Sequence, residues 1–234
     1  MKTKILMFAL FLVGVVPAPA ALWEINTAIP DGNASGLWNQ QTLSGMVGYV
    51  SDVQVTLNIS GGYNGDLYAY LTHGSQTVVL LNRVGATAGN DFGYDNTGFL
   101  ITLSATGNDV HSYQSSSPSY NGGGQLTGIW APDGRAIDPL STGAEFDAAA
   151  RQNSGSPLGL FNGANPNGDW TLFIADMSGG GVSTWGNWSL GITAVPEPMN
   201  VAAALFAGFH LFRFARSKRR GVPNASAPSA GVKP

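Results

Sequence analysis

VQVTLNIS occupies residues 53–60. Val53, Val55, Leu57 and Ile59 alternate with Gln54, Thr56, Asn58 and Ser60. That period of two puts all four apolar side chains on one side of an extended chain, whereas a helix would scatter them around its circumference. Gly61-Gly62-Tyr63-Asn64-Gly65 follows, a run of turn formers that ends the strand. Asp66–Thr72 (DLYAYLT) is apolar at both parities, which predicts a central strand. Gln76–Asn82 (QTVVLLN) comes after His73-Gly74-Ser75, so these two segments predict a hairpin. Phe99–Leu103 and Gln125–Trp130 are further strand candidates. Asp169–Asp176 (DWTLFIAD) sets Trp170, Leu172 and Ile174 against Thr171, Phe173 and Ala175, and Trp188, Leu190 and Ile192 alternate in a last strand. Only Thr142–Gln152 reads as helical, and only briefly, through Ala144 and Ala148–Ala150. About eight short strands with glycine-rich turns and no βαβ rhythm predict an all-β sandwich in preference to a barrel.

Charge is distributed unevenly around this segment. The 234 residues carry a formal net charge of −3, but residues 21–194 hold three bases (Arg83, Arg135, Arg151) against 13 of the 14 acids, a formal charge of −10. Lys2 and Lys4 precede that span, and the other six bases follow it. A strongly acidic domain is a poor partner for nucleic acid, whose affinity comes mainly from neutralised phosphates. The absence of cysteine excludes disulfides, thiolate metal sites and thiol nucleophiles. The same span holds 28 of the 32 glycines, roughly twice the usual share, as many tight turns require.

Both ends read as addresses. Met1–Lys4 is basic, Ile5–Val16 is an apolar run of 12, and Ala18-Pro19-Ala20 puts small residues at −3 and −1 of a cleavage point after Ala20. Basic, apolar, then A-x-A is the pattern of a secretory signal peptide, here residues 1–20. Cleavage after Ala21 is a second choice, and an uncleaved anchor is the plainer alternative. At the other end Val195-Pro196-Glu197-Pro198 precedes the apolar Met199–Phe212, which is closed by Arg213, Arg216, Lys218, Arg219 and Arg220. Fourteen helical residues span ~21 Å at ~1.5 Å each, short of a ~30 Å hydrocarbon core. Counting through Ala215, with Arg213 snorkelling, gives a short transmembrane helix. The basic cluster then stays inside and the acidic domain faces outward. His210, near the basic end, is expected to reach interfacial water. Gly221–Pro234 is rich in Pro, Ala and Ser and predicts a disordered tail.

Candidate chemistry is sparse. His73 and His111 are the histidines of residues 21–194. No G-x-S-x-G elbow accompanies them, and Gly155-Ser156-Pro157-Leu158-Gly159 has the wrong spacing. His111 lies two residues after Asp109, but in a loop that spacing fixes nothing, so both histidines are expected to be solvated loop residues. No zinc-type histidine spacing occurs, and Gly122-Gly123-Gly124 does not open a helix as a phosphate loop would. Asn90-Asp91-Phe92-Gly93-Tyr94-Asp95-Asn96 gathers Asp and Asn side chains of the kind that calcium takes from loops. Asp91, Asp95 and Asp109 are therefore candidate ligands for one Ca2+; no other cofactor is required. The plainer reading of that loop is turn formation. Asp66 and Asp176, beside turns at strand ends, read as structural. Of the six tryptophans, Trp170 and Trp188 are in phase with core positions, while Trp38 and Trp130 are freer and could stack on sugar rings.

Two resemblances extend this reading. Val195-Pro196-Glu197-Pro198, a short apolar helix and an arginine cluster, in that order, resemble the PEP-CTERM sorting tail of Gram-negative, biofilm-forming bacteria over about residues 195–220. The resemblance implies recognition by a membrane exosortase, cleavage near Pro196–Pro198, and delivery to the cell surface or exopolysaccharide matrix. One departure is that the chain runs on through Gly221–Pro234. Residues 28–194 are similar to the P domain (P/Homo B) of proprotein convertases. Ile29-Pro30-Asp31, Val53–Ser60, Gly65-Asp66-Leu67-Tyr68-Ala69-Tyr70-Leu71 and Val78-Val79-Leu80-Leu81 resemble its first half. Phe161-Asn162-Gly163, Asn167-Gly168-Asp169-Trp170-Thr171-Leu172, Ala175-Asp176 and Trp188-Ser189-Leu190 resemble its second. This implies a jelly-roll-like β-sandwich of the sort that follows a subtilisin-like protease in kexin- and furin-like enzymes and supports its folding. The span leaves no room for that protease. Phe99-Leu100-Ile101 stands where the family often has Phe-Asp-Asp, and Ser183 where it usually has glycine.

The expected organisation is a signal peptide (1–20), a P-domain-like sandwich (21–194), a sorting tail (195–220) and a disordered end (221–234). The expected role is a secreted or surface-sorted, non-catalytic structural or adhesive component of the envelope or exopolysaccharide matrix. Its expected partners are an exosortase, the membrane through the C-terminal helix before processing, and exopolysaccharide. The alternatives are an accessory domain serving a serine protease in trans and a weak glycan-binding module.

Overall fold

The alternation at 53–60 is realised inside a 13-residue strand. In a computed structural model, which describes residues 16–17 and 21–196, the strands in chain order are β1 (Val16–Pro17), β2 (Ala21–Ala28), β3 (Asn33–Leu43), β4 (Tyr49–Gly61), β5 (Leu67–His73), β6 (Gln76–Asn82), β7 (Phe99–Asp109), β8 (Ser119–Tyr120), β9 (Leu126–Ala131), β10 (Gly168–Asp176) and β11 (Ser183–Val195). One α-helix, α1 (Gly143–Ala148), lies between β9 and β10, followed by two short 3-10 segments, Gln152–Gly155 and Pro157–Phe161. They form two sheets. One runs β1-β11-β4-β7-β9-β8, with β2 also on β11, and the other runs β3-β10-β5-β6. Every pairing is antiparallel except β7 with β9. The all-β sandwich and the β5–β6 hairpin are as the sequence predicts.

The core lies between the sheets. Val53, Val55, Leu57 and Ile59 of β4 face Ala69 and Leu71 of β5 and Trp170, Leu172 and Ile174 of β10 across one continuous apolar cluster. Burying each large aliphatic or aromatic side chain contributes about 1.5–3 kcal/mol before entropy is counted. Trp185 and Trp188 on β11 are fully buried, and the Trp188 Nε1–H donates to Asn39 Oδ1 at 3.0 Å. Trp23 on β2 packs its ring 4.6 Å from that of Trp188.

Strands β2 and β3 are not predicted by the sequence. The inward parity of β3 is Leu37, Asn39, Gln41 and Leu43, so polar residues interrupt the apolar alternation. Helix α1 stops at Ala148, inside the expected Thr142–Gln152. It starts at a capping box: the Thr142 hydroxyl accepts the Glu145 amide, and Glu145 Oε2 accepts the Thr142 amide at 2.7 Å.

The loop from Thr87 to Asn96 crosses the turn before β5 so closely that two glycines touch. A Cβ on Gly93 (φ +74°) would lie 2.7 Å from Gly65 Cα and 2.6 Å from the Val84 carbonyl. The Gly65 amide donates to the Tyr94 carbonyl at 2.8 Å.

At the ends, Val16 and Pro17 pair with Ala194 and Thr193. Val195 pairs with Tyr49 as the last residue of β11, so the strand takes in the first residue assigned to the tail. Ala18, Ala20, Glu197, Pro198, the apolar segment, the basic cluster (Arg213, Arg216, Lys218, Arg219, Arg220) and the 221–234 tail lie outside the described residues. Among the described residues no helix is long and apolar enough to cross a membrane.

Candidate functional site

The four-stranded sheet turns one face to the core, and its other face carries aromatic rings. The parity that buries Trp170, Leu172 and Ile174 sends Thr171 and Phe173 outward. The same rule on β5 sends Tyr68, Tyr70 and Thr72 outward, and on β3 Trp38, Gln40 and Thr42. Register aligns them: Phe173 pairs with Trp38 on one side and Tyr70 on the other. The Phe173 and Tyr70 rings stack at 4.7 Å and 17°. Tyr68 sits 5.8 Å from Tyr70, tilted to it, and 6.4 Å from Phe173, edge-on to it. Trp38 is 69% exposed, the most exposed tryptophan whose surroundings are described. Gly36 (φ +50°) makes room for the row, because a Cβ there would meet the Phe173 ring at 2.8 Å.

The next row outward is polar. Gln40 and Thr72 both pair with Thr171. Thr72 and Thr171 form one wall of a cleft of about 830 Å³ at the hairpin end of the sheet, whose other walls include Gln76, Asn162, Asn165 and Asp169. Asp169 Oδ1 accepts the Thr42 hydroxyl at 2.6 Å. The arrangement is a flat aromatic platform leading into a cleft lined with amide, hydroxyl and carboxylate groups. Rings stack on apolar faces of flat ligands, and the polar groups fix hydroxyls.

His73 lies at the floor of this cleft, and it is not the solvated residue its hairpin position suggests. Its ring stacks on Trp170 at 3.9 Å and 2°, with Nδ1 2.9 Å from the Asp169 carbonyl and Nε2 2.6 Å from the Asn165 carbonyl. Both nitrogens are occupied, so the residue braces the cleft wall. His111 is likewise buried. Its Nδ1 lies 2.6 Å from Asp133 Oδ2, and its Nε2 lies 3.0 Å from the Ala86 carbonyl. A triad base needs one nitrogen on a nucleophile, and neither histidine has one to spare. Asp109, near in sequence, instead accepts the His111 amide on Oδ1 at 3.0 Å.

The three candidate calcium ligands are not brought together. Asp109 Oδ2 takes Arg135 Nη1 at 2.9 Å and lies 3.5 Å from Arg151 Nε. Asp133 Oδ1 lies 3.1 Å from the same Arg135 nitrogen. These carboxylates raise the Arg135 pKa further against the lowering effect of its burial. Asp91 Oδ1 accepts the Gly143 amide at 3.0 Å, tying the loop to α1. Asp95 is exposed. Among the described residues no three His, Cys, Asp or Glu side chains form a ready-made metal cluster. The Asp/Asn-rich loop is built for turns: the Asn90 side chain donates to the Gly93 carbonyl at 2.7 Å, and Asn96 Oδ1 accepts the Tyr113 hydroxyl at 2.9 Å.

Of the two tryptophans read as free, only Trp38 is. Trp130 is 6% exposed, with its Nε1–H on the Thr127 carbonyl at 2.9 Å. Phe173 and Tyr70 carry no motif that marks them in the sequence. The available signal was their parity opposite Trp170 and Leu71.

No protein-family model matches the chain. No curated protein matches it either. Among solved structures, it is similar to the serine protease of Aeromonas sobria, with a TM-score of 0.43 and 15% identity over 79% of this chain. The structure of that protease in complex with a chaperone gives a TM-score of 0.43 and 14% identity over 80% of this chain. In both cases the chain spans about 28% of the length of the protein it is similar to.

Proposed function

We propose that this protein is a non-catalytic, exported β-sandwich that adheres to polysaccharide through the outer face of its four-stranded sheet. One observation carries the reading: the register-aligned row Trp38–Phe173–Tyr70, with Tyr68 beside it, opening into the polar cleft. A pyranose ring presents axial C–H groups to an aromatic face and equatorial hydroxyls to its rim, and the row and the cleft offer both. The formal charge of −10 over residues 21–194 and exposed Asp169 disfavour uronic-acid-rich chains, so the ligand class is neutral glycan. Export, exosortase processing and delivery to the envelope or matrix rest on the two ends of the sequence. The resemblance to convertase P domains supports a second reading, a domain that serves a separate serine protease in trans.

The test is affinity electrophoresis in gels containing hydroxyethylcellulose, laminarin or xylan. The native protein is retarded in at least one of them. Trp38→Ala, which removes an exposed side chain outside the core, weakens that retardation about tenfold, the equivalent of one stacking contact of about 1.4 kcal/mol. Equal mobility of the native protein and the variant in all three gels overturns the glycan reading.

A further inference from the structure

Three segments bring carboxylates to the end of the sandwich opposite the cleft side of β10. Asp31 lies in the turn before β3, Asp66 in the single turn Asn64–Asp66 before β5, and Asp176 at the end of β10. Asp176 pairs with Leu67, next to Asp66, and the Met177 amide donates to the Asp66 carbonyl at 2.7 Å. Asp31 takes the Gly180 amide on both oxygens at 3.2 Å, drawing the glycine-rich loop Ser178–Val182 toward the group.

The positive charge nearest these acids is Arg83, which acts on Asp66 at a distance and forms no ion pair with it. Among the described residues no lysine or arginine forms an ion pair with any of them. Arg83 is the nearby base, but its Nε and Nη2 donate to the carbonyls of Gly65 and Asp91 at 3.2 and 2.8 Å. Asp176 is 0% exposed. Its Oδ1 accepts the Ser178 amide at 3.2 Å, the nearby Gly32 amide also favours the charged carboxylate, and its Oδ2 is left without a hydrogen bond. Asp66 is also buried. Two carboxylates out of water, one with an orphaned oxygen, are destabilising unless a positive group compensates them.

We propose that Asp66 and Asp176 hold one Ca2+, with Asp31 at the rim. The donors are all hard oxygens, with no imidazole or thiol among them, which selects calcium over zinc. Two buried carboxylates supply most of the charge. Backbone carbonyls and water complete the six to eight positions that calcium takes, and no third acidic side chain is required in the inner set. The ion would pin the ends of β10 and the turn into β5 to each other. The site uses none of the Asp91, Asp95 and Asp109 carboxylates, although the loop that carries Asp91 and Asp95 packs against the turn that carries Asp66, and it is independent of the glycan face.

The experiment uses protein stripped with EGTA and desalted. Calorimetric titration with CaCl2 at about pH 7.5 gives saturable binding of one ion, and the melting temperature rises with added Ca2+. Asp176→Asn and Asp66→Asn each weaken binding at least tenfold while raising the melting temperature of the metal-free protein, since each removes a buried charge. Asp91→Asn leaves binding unchanged. No heat and coincident melts in Ca2+ and EGTA overturn the proposal. So does binding that survives in both Asp66→Asn and Asp176→Asn, which would place the ion elsewhere. If one variant does not fold, the other gives the reading.

Discussion

Asp133 shows most plainly what a buried charge does here. It is fully buried, yet its two oxygens serve four donors: His111 Nδ1, Arg135 Nη1, and the backbone amides of Asn82 and Arg135. Removing it strands His111 and Arg135 in a site where the remaining acid, Asp109, is shared with Arg151. Asp133→Ala should cost about 3–5 kcal/mol in urea denaturation, the range for breaking one partner out of a buried ionic group. A loss below about 1 kcal/mol would show that water screens the group. None of this could be read from the sequence. The partner of His111 stands 22 residues away, and the carbonyl that holds His73 Nε2 stands 92 away. Local spacing carries no signal for either, which is why both histidines looked like loop residues.

Elements were legible where burial is one-sided and apolar. Val53–Ser60, Asp169–Asp176 and Trp188–Ile192 announce their strands because their inward positions are nearly all hydrocarbon. Strand β3 hides because Asn39 and Gln41 point inward, Asn39 to take the indole of Trp188. Half of the candidate face was therefore visible: Phe173 and Tyr70 lie on readable strands, and Trp38 lies on an unreadable one. Their alignment depends on β3 pairing with β10, which only the fold supplies. Packing between elements also carries a testable cost. Gly93→Ala drives a Cβ into Gly65 Cα and the Val84 carbonyl, and Gly65→Ala drives one into the backbone of Phe92 and Tyr94. Each should destabilise by about 1–3 kcal/mol. In a double-mutant cycle the pair should cost less than the two single changes together, because both break the same approach. Strict additivity would mean that the loop and the turn are energetically separate.

For the whole molecule, acidity and fold pull against each other. Burial raises Asp66 from 3.8 to about 6, with Asp176 adding to the rise, Arg83 opposing it and Asp31 adding further. Asp176 is raised by burial first, against the Ser178 and Gly32 amides that lower it. A carboxylate raised on folding binds its proton in the native state while the unfolded chain has released it. Stability therefore falls as pH rises from about 4 to about 6 and is level above that. Metal-free protein in EGTA should melt at a higher temperature near pH 5 than near pH 7.5, by about 2–4 °C for each kcal/mol involved. Asp66→Asn should flatten that slope; a slope unchanged by the substitution would assign it to other acids.

Strand β11 bonds along both edges at once, to β4 from Gly61 through Tyr49 and to β2 from Ala28 back to Ala21. Its last residue is also where the chain leaves the sandwich. Tension applied at Val195 therefore runs parallel to the strand and perpendicular to two ladders of hydrogen bonds. Neither ladder can be peeled one rung at a time, so the rungs share the load and the strand must slide as a unit before it yields. A pull at that end is therefore met in shear by the ladders to β4 and β2 together.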